Sequence, residues 1–83
     1  MNLLKMRKNI ARNTPNKFSV IVTMREADRA GDALSTLVHG KAMPWRKRMM
    51  IKHGDNVKCT TVHYTNLFDG RYKYTFEVEL WNL

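Results

Sequence analysis

Much that would reveal the class of this 83-residue chain is scarce or missing. Its one cysteine, Cys59, excludes an intrachain disulfide and makes the cytoplasm the default compartment. No apolar run reaches the roughly 18 residues of a membrane span, and the apolar stretch near the start is too short for a signal peptide. The sequence therefore predicts one small cytoplasmic domain without a membrane span.

Groups that could carry catalysis are also few. The chain has seven Asp and Glu residues, and the pair Glu77 and Glu79 is expected to lie on a solvated strand face rather than to converge for acid–base work. Cys59 and His63 would be about 13 Å apart on a strand. A zinc ion needs ligand atoms at about 2.0–2.3 Å, so that strand cannot present both to one ion. We expect no enzyme activity, no cofactor and no metal site.

The strongest structural signal lies in residues 57–81. β-branched and aromatic residues stand on both sides of Asp69-Gly70, a turn-forming pair. From Tyr72 to Leu80 every second residue is apolar, which gives one strand face to a core and the other to solvent. The pattern predicts a β-hairpin, and an upstream element must cover it because an isolated hairpin is marginal in water.

The length of the turn decides which residues of the hairpin face each other. A two-residue turn would place apolar residues opposite polar ones. A three-residue loop that ends at a left-handed Gly70 instead pairs Val62 with Phe76 and Tyr64 with Tyr74. Because this register matches apolar with apolar, we predict the three-residue loop.

Two segments open the chain. Residues 1–16 are expected to form a basic arm or a short basic helix, which residues 13–16 end because they contain Pro15. Residues 17–24 carry apolar side chains on both faces of an extended pattern. That pattern predicts a strand in the centre of a sheet.

Residues 24–40 are predicted to be a helix. Thr23 and Glu26 have the spacing of a capping box, and Gly40 fits a C-terminal stop. Asp28 is an alternative N-cap that would delay the start. The stripe expected to cover the hairpin consists of Ala27, Ala30, Leu34, Leu37 and Val38.

Residues 41–56 are the hardest to assign. Pro44 and Gly54 could bracket a helix, but the large apolar residues between them do not all share one helical face. We favour a strand from about 46 to 53, followed by a tight turn. The chain then reads β-α-β-β-β, an α+β fold with one helix packed on a mainly antiparallel sheet of three to four strands, in a single domain over residues 17–83.

Positive charge is concentrated in two blocks of a chain whose net charge is +8. Residues 1–17 carry five cations and no acid, and residues 41–58 carry six cations and one acid. Clustered Lys and Arg suit a surface that neutralises phosphates and releases counterions. The alternative is a solvated face that keeps the protein soluble.

The motif Trp45-Arg46-Lys47-Arg48 is the leading candidate for ligand contact. Its ring could stack on a base while its cations hold phosphates. Alternatively, Trp45 anchors the core and the cations are merely exposed. The sequence contains no helix-turn-helix, RNP or zinc-finger pattern, so nothing in it indicates recognition of a particular nucleotide sequence. The candidate nucleic-acid-binding residues are Arg7, Lys8, Arg12, Lys41, Trp45, Arg46, Lys47, Arg48, Lys52 and Lys58.

These patterns support two functional hypotheses of different classes. The first is a small basic non-enzymatic protein that binds DNA or RNA through the phosphate backbone. The alternative is a small accessory protein, of the kind viruses use, that binds and inhibits or modulates a host protein. It would contact an acidic surface of that host protein, or pair with it through an open edge strand of its own. An open edge would also allow a homodimer.

One run of the sequence resembles the opening of ACT ligand-sensing domains. The resemblance covers a strand, then Asp28-Arg29-Ala30-Gly31, then a helix and a hairpin. In that family a similar turn carries a glycine near the amino-acid site, and Ala30 stands here where a proline often precedes that glycine. The resemblance implies a ligand-sensing homo-oligomer as a third hypothesis, and it assigns no site residue.

Overall fold

The computed structural model describes residues 9–81, which form three strands and two helices. Residues 9–12 form one helical turn ahead of the first strand. Short 3₁₀ turns at Gly31–Ala33 and Gly54–Asn56 follow the two helices. The elements are β1 (Lys17–Thr23), α1 (Met24–Ala30), α2 (Leu34–His53), β2 (Val57–Asn66) and β3 (Arg71–Leu80).

The predicted α+β class is confirmed. The three strands form one antiparallel sheet in the order β1-β3-β2, and the helices cover one of its faces. The opposite face is polar, as expected for an antiparallel sheet with one solvated side. The core joins the apolar faces of β1 and β3 to α2 through Val20, Val22, Val38, Ala42, Trp45, Met49, Phe76 and Val78.

The predicted hairpin register is also confirmed. Val62 pairs with Phe76, and Tyr64 pairs with Tyr74. Gly70 has φ 85°, in the left-handed region that glycine adopts without steric cost. The hairpin is fixed by local chemistry, because apolar pairing and loop geometry select the same register.

The prediction that residues 17–24 form a central strand is wrong in its placement. The strand forms at Lys17–Thr23, but it lies at an edge and β3 occupies the centre. Its second apolar face consists of Ile21 alone, which is exposed on the open side of the sheet. Single exposed apolar residues are common on protein surfaces, so Ile21 is not evidence that this strand lies at the centre of the sheet.

The predicted start of the helix is confirmed, and its predicted end is wrong. Thr23 accepts a hydrogen bond from the backbone N–H of Glu26, whose carboxylate accepts one from the Thr23 N–H. The bond from the Thr23 N–H to the carboxylate holds the pKa of Glu26 below its ordinary value, and the Thr23 hydroxyl and Lys41 lower it further. The first helix stops at Gly31, which has φ 55°, and α2 then runs straight through Gly40.

The strand expected at residues 46–53 is wrong, because the segment belongs to the 20-residue helix α2. Four buried residues, Val38, Ala42, Trp45 and Met49, recur at helical spacing across Gly40 and form one seam against the sheet. Pro44 lies inside this helix. Since proline has no N–H, the Gly40 carbonyl four residues earlier loses its helical donor.

The buried seam separates two adjacent methionines, and their substitution tests the helical assignment. Met49 is 1% exposed and Met50 is 56% exposed. Replacing Met49 with Ala should lower the free energy of unfolding by about 2–5 kcal/mol, because it leaves a cavity in the core. The matched Met50→Ala variant should change it by less than about 0.5 kcal/mol. Urea titrations followed by circular dichroism measure both, and equal losses would contradict this orientation of α2.

Candidate nucleic-acid interface

An open groove of about 590 Å³ lies between the start of the described chain and one flank of α2. Its walls are largely apolar, and three cationic residues border it. Apolar walls with a few polar groups at the rim are typical of ligand sites. The lining residues are Ile10, Asn13, Thr14, Pro15, Lys17, Phe18, Lys41, Pro44, Trp45 and Arg48.

Hydrogen bonds from α2 fix the segment that forms one wall of this groove. The Trp45 Nε1 donates to the Pro15 carbonyl at 2.8 Å. The Lys52 ammonium donates to the Thr14 carbonyl at 3.0 Å and to the Asn16 Oδ1 at 3.2 Å. Two of these bonds satisfy backbone carbonyls that lie outside regular structure, and all three hold the wall against the helix.

The structure places Trp45 in the core. The residue is 3% exposed, and its ring lies 6.2 Å from Phe76 and 6.1 Å from Phe18, measured between centroids. The only polar atom of its side chain, Nε1, donates to the Pro15 carbonyl. A nucleobase needs an accessible ring face, so the core-anchor alternative describes Trp45 and the stacking role does not.

Phe18 is the aromatic residue that the groove exposes. It is 36% exposed, lines the groove and stacks on the buried Trp45 ring with an interplanar angle of 17°. A ring that is supported on one side and partly accessible on the other can present a stacking face. Phe18 is not among the residues predicted from the sequence to contact a ligand, and the one available signal was the alternation that placed it beside Lys17 at the start of a strand.

The consecutive cations of the leading motif do not form one patch. Successive residues of a helix point about 100° apart, so Arg46, Lys47 and Arg48 face three directions. Only Arg48 lines the groove, together with Lys41 two helical turns earlier. Within residues 9–81, none of the motif's three cations makes an ion pair.

Two of the rim cations have acidic neighbours. The Lys41 ammonium lies 3.4 Å from the Glu26 carboxylate, and the Lys17 ammonium lies 3.8 Å from that of Glu77. The side chains of both pairs are well exposed, so these ion pairs stabilise the fold little and can exchange partners. Both lysines therefore remain able to contact an anion.

The remaining candidates are scattered. Arg12 is exposed in the helical turn that precedes the groove wall. The Lys52 ammonium already donates hydrogen bonds to that wall. Lys58 lies at the start of β2, where it pairs with Glu79 at 3.7 Å and sits 5.3 Å from the Trp81 ring centroid. Arg7 and Lys8 lie outside the described residues.

The one cysteine, Cys59, is exposed, but its thiol has a raised pKa. The Cys59 Sγ donates to the Glu79 carboxylate at 3.2 Å, and this bond raises the pKa of the thiol. A raised pKa lowers the thiolate fraction, which is the reactive form. In the part of the chain that the structure describes, no three His, Cys, Asp or Glu side chains are grouped to hold a metal ion.

Comparison with known proteins supplies no assignment. No protein-family model matches the sequence, no curated protein matches it, and no solved structure matches the fold. The resemblance to ACT domains therefore has no support beyond the residues that suggested it. Between residues 9 and 81, no helix has the length and apolar character to cross a membrane.

Two tryptophans in different environments test the placement of Trp45. Replacing Trp45 with Phe removes the bond to Pro15 and should lower the free energy of unfolding by about 1–3 kcal/mol. Trp81→Phe should change it by less than about 0.5 kcal/mol, since Trp81 is exposed. In the Trp81→Phe variant the remaining indole should emit at shorter wavelength and resist iodide quenching. Strong quenching of that indole would contradict its burial.

Proposed function

We propose that this protein binds nucleic acid through the phosphate backbone, in the cytoplasm and without catalysis. The observation that carries the proposal is the groove in which apolar walls and an exposed aromatic ring meet the cations Lys41 and Arg48. Affinity for a polyanion comes from neutralised phosphates, and a net charge of +8 adds long-range attraction.

The form of the groove favours a single strand over a duplex. A duplex keeps its bases stacked inside and offers phosphates alone to a backbone-binding protein. A single strand exposes both phosphates and base faces, which match a cationic rim and an aromatic platform. In this proposal Phe18 takes the stacking role that the sequence suggested for Trp45, while Lys41 and Arg48 hold adjacent phosphates.

The rim cations should carry more of the affinity than cations elsewhere. The double variant Lys41→Ala/Arg48→Ala removes two groove cations, one of them paired with Glu26. The matched control Lys47→Ala/Lys58→Ala also removes two cations, one of them paired with Glu79. The groove variant should flatten the slope of log affinity against log salt by about 1.4, at about 0.7 for each lost contact to a single strand. The control should leave the slope near that of the wild type.

Fluorescence anisotropy with labelled single-stranded DNA and RNA, across about 50–300 mM salt, measures these slopes. An equal change of this slope in the two double variants would show that the positive charge attracts nucleic acid without a defined binding site. Absence of binding by the wild-type protein at low salt would refute the proposed function.

Phe18 should distinguish single strands from duplexes. Stacking on a base contributes about 1–3 kcal/mol, so Phe18→Leu should weaken single-strand binding by about 5- to 150-fold. Duplex affinity should stay within about twofold, because no base face reaches the ring. Phe68→Leu is the matched control, since Phe68 is exposed in the hairpin loop away from the groove. Equal loss for single strands and duplexes would contradict a stacking role, and melting curves exclude unfolding as its cause.

A second candidate is an accessory protein that binds an acidic protein partner. The observation that favours it is the exposed outer face of α2, where Met43, Met50 and Ile51 lie around Lys47. Exposed methionines beside a cation can pack against a partner whose surface is acidic. A complex that survives nuclease treatment and is lost on Met50→Glu substitution would support this candidate over nucleic-acid binding.

A further inference from the structure

The helices leave one strand of the sheet uncovered. None of the ten residues of β2 is buried, whereas β1 and β3 each contribute buried residues to the core. Val62 and Tyr64 face the same side of the sheet as the core, since they pair with Phe76 and Tyr74, respectively. They are nevertheless 45% and 56% exposed. Val62 and Tyr64 therefore form a short exposed apolar strip on β2, and Val62 lies beside α2.

The outer edge of β2 also has free backbone groups. The Leu67 N–H donates to the Arg71 carbonyl, which sets the alternation of hydrogen bonds along the hairpin. In an antiparallel pair every second residue bonds its neighbour strand, and the residues between point their N–H and C=O groups the other way. By this alternation Thr60, Val62 and Tyr64 direct their backbone groups away from β3.

This edge lacks the features that usually prevent strand pairing. From Cys59 to Asn66 it contains no Lys, Arg, Asp, Glu or Pro, and its one register irregularity lies at the far end, between Val57 and Cys59. Natural edge strands usually carry an inward charge, a proline or a bulge that blocks a second strand. The other edge strand, β1, is shorter and begins at Lys17 beside the cationic groove.

We propose that β2 pairs antiparallel with β2 of a second copy of this chain around a two-fold axis at Val62. Two copies that each carry +8 repel wherever their cations meet, so a stable contact requires an uncharged surface. The edge from Cys59 to Asn66 provides one. In this register Lys58 lies opposite Asn66 of the partner rather than opposite another lysine, so no like charges face each other.

The pairing also accounts for the exposed apolar strip. Val62 meets its own copy at the axis, and Thr60 meets Tyr64 of the other chain on the same face. A two-fold axis perpendicular to the sheet joins the two sheets into one and keeps both α2 helices on one side. The cationic grooves border β1, at the opposite edge, so dimerisation leaves them open. The proposal therefore does not depend on nucleic-acid binding.

Sedimentation equilibrium of the full chain at about 5–200 µM, without nucleic acid, tests the proposal. The wild type should show a monomer–dimer equilibrium. Val62→Lys should raise the dimer dissociation constant at least about tenfold, because it places two like charges together at the axis. Tyr64→Lys is a second disrupting variant, and Ile21→Lys on β1 is the control that should dimerise as the wild type does.

A charge-complementation experiment tests the register. Val62→Lys and Val62→Glu should each be monomeric alone, and an equimolar mixture should form a heterodimer, since the two side chains meet at the axis. Melting curves confirm that the variants fold, which is expected because Val62 is half exposed. A monomeric wild type, dimers that persist in Val62→Lys, equal disruption by Ile21→Lys, or a mixture that stays monomeric would each overturn the proposal.

Discussion

The burial of Trp45 is the interaction on which the rest of the structure depends. Its ring contacts Phe76 on the central strand and Phe18 on an edge strand, and its N–H bonds the Pro15 carbonyl. One side chain thus joins α2, the sheet and the segment that precedes the first strand. An indole N–H buried without an acceptor costs about 1–3 kcal/mol, so the position of Pro15 and the packing of Trp45 stabilise each other.

The groove follows from that arrangement. The bonds from Trp45 and Lys52 hold residues 13–16 against the helix, and Phe18 lines the groove beside them. The helix supplies Lys41 and Arg48 on the flank beside this wall because they lie two turns apart. The burial of Trp45 therefore shapes the groove in which Phe18 is left partly exposed.

The sheet order separates two kinds of surface. The cationic groove borders β1, and the uncharged apolar edge belongs to β2, with β3 between them. A helix wide enough to cover two strands leaves the third partly bare, since an α-helix is about 10–12 Å across and strands lie about 4.8 Å apart. The two edges thus differ in charge and in exposure.

The sequence by itself determined the hairpin with its register and the capping box at Thr23. Each depends on residues a few positions apart, whose preferences agree. Only the tertiary structure decided that α2 continues through Gly40 and Pro44, that β1 lies at an edge and that Trp45 is buried. These outcomes depend on packing between segments far apart in the chain. The free energy gained by burying the apolar seam of α2 outweighs the cost of Gly40 and Pro44 in the helix. The apolar periodicity of one short segment does not show this gain, because it depends on the sheet that covers the seam.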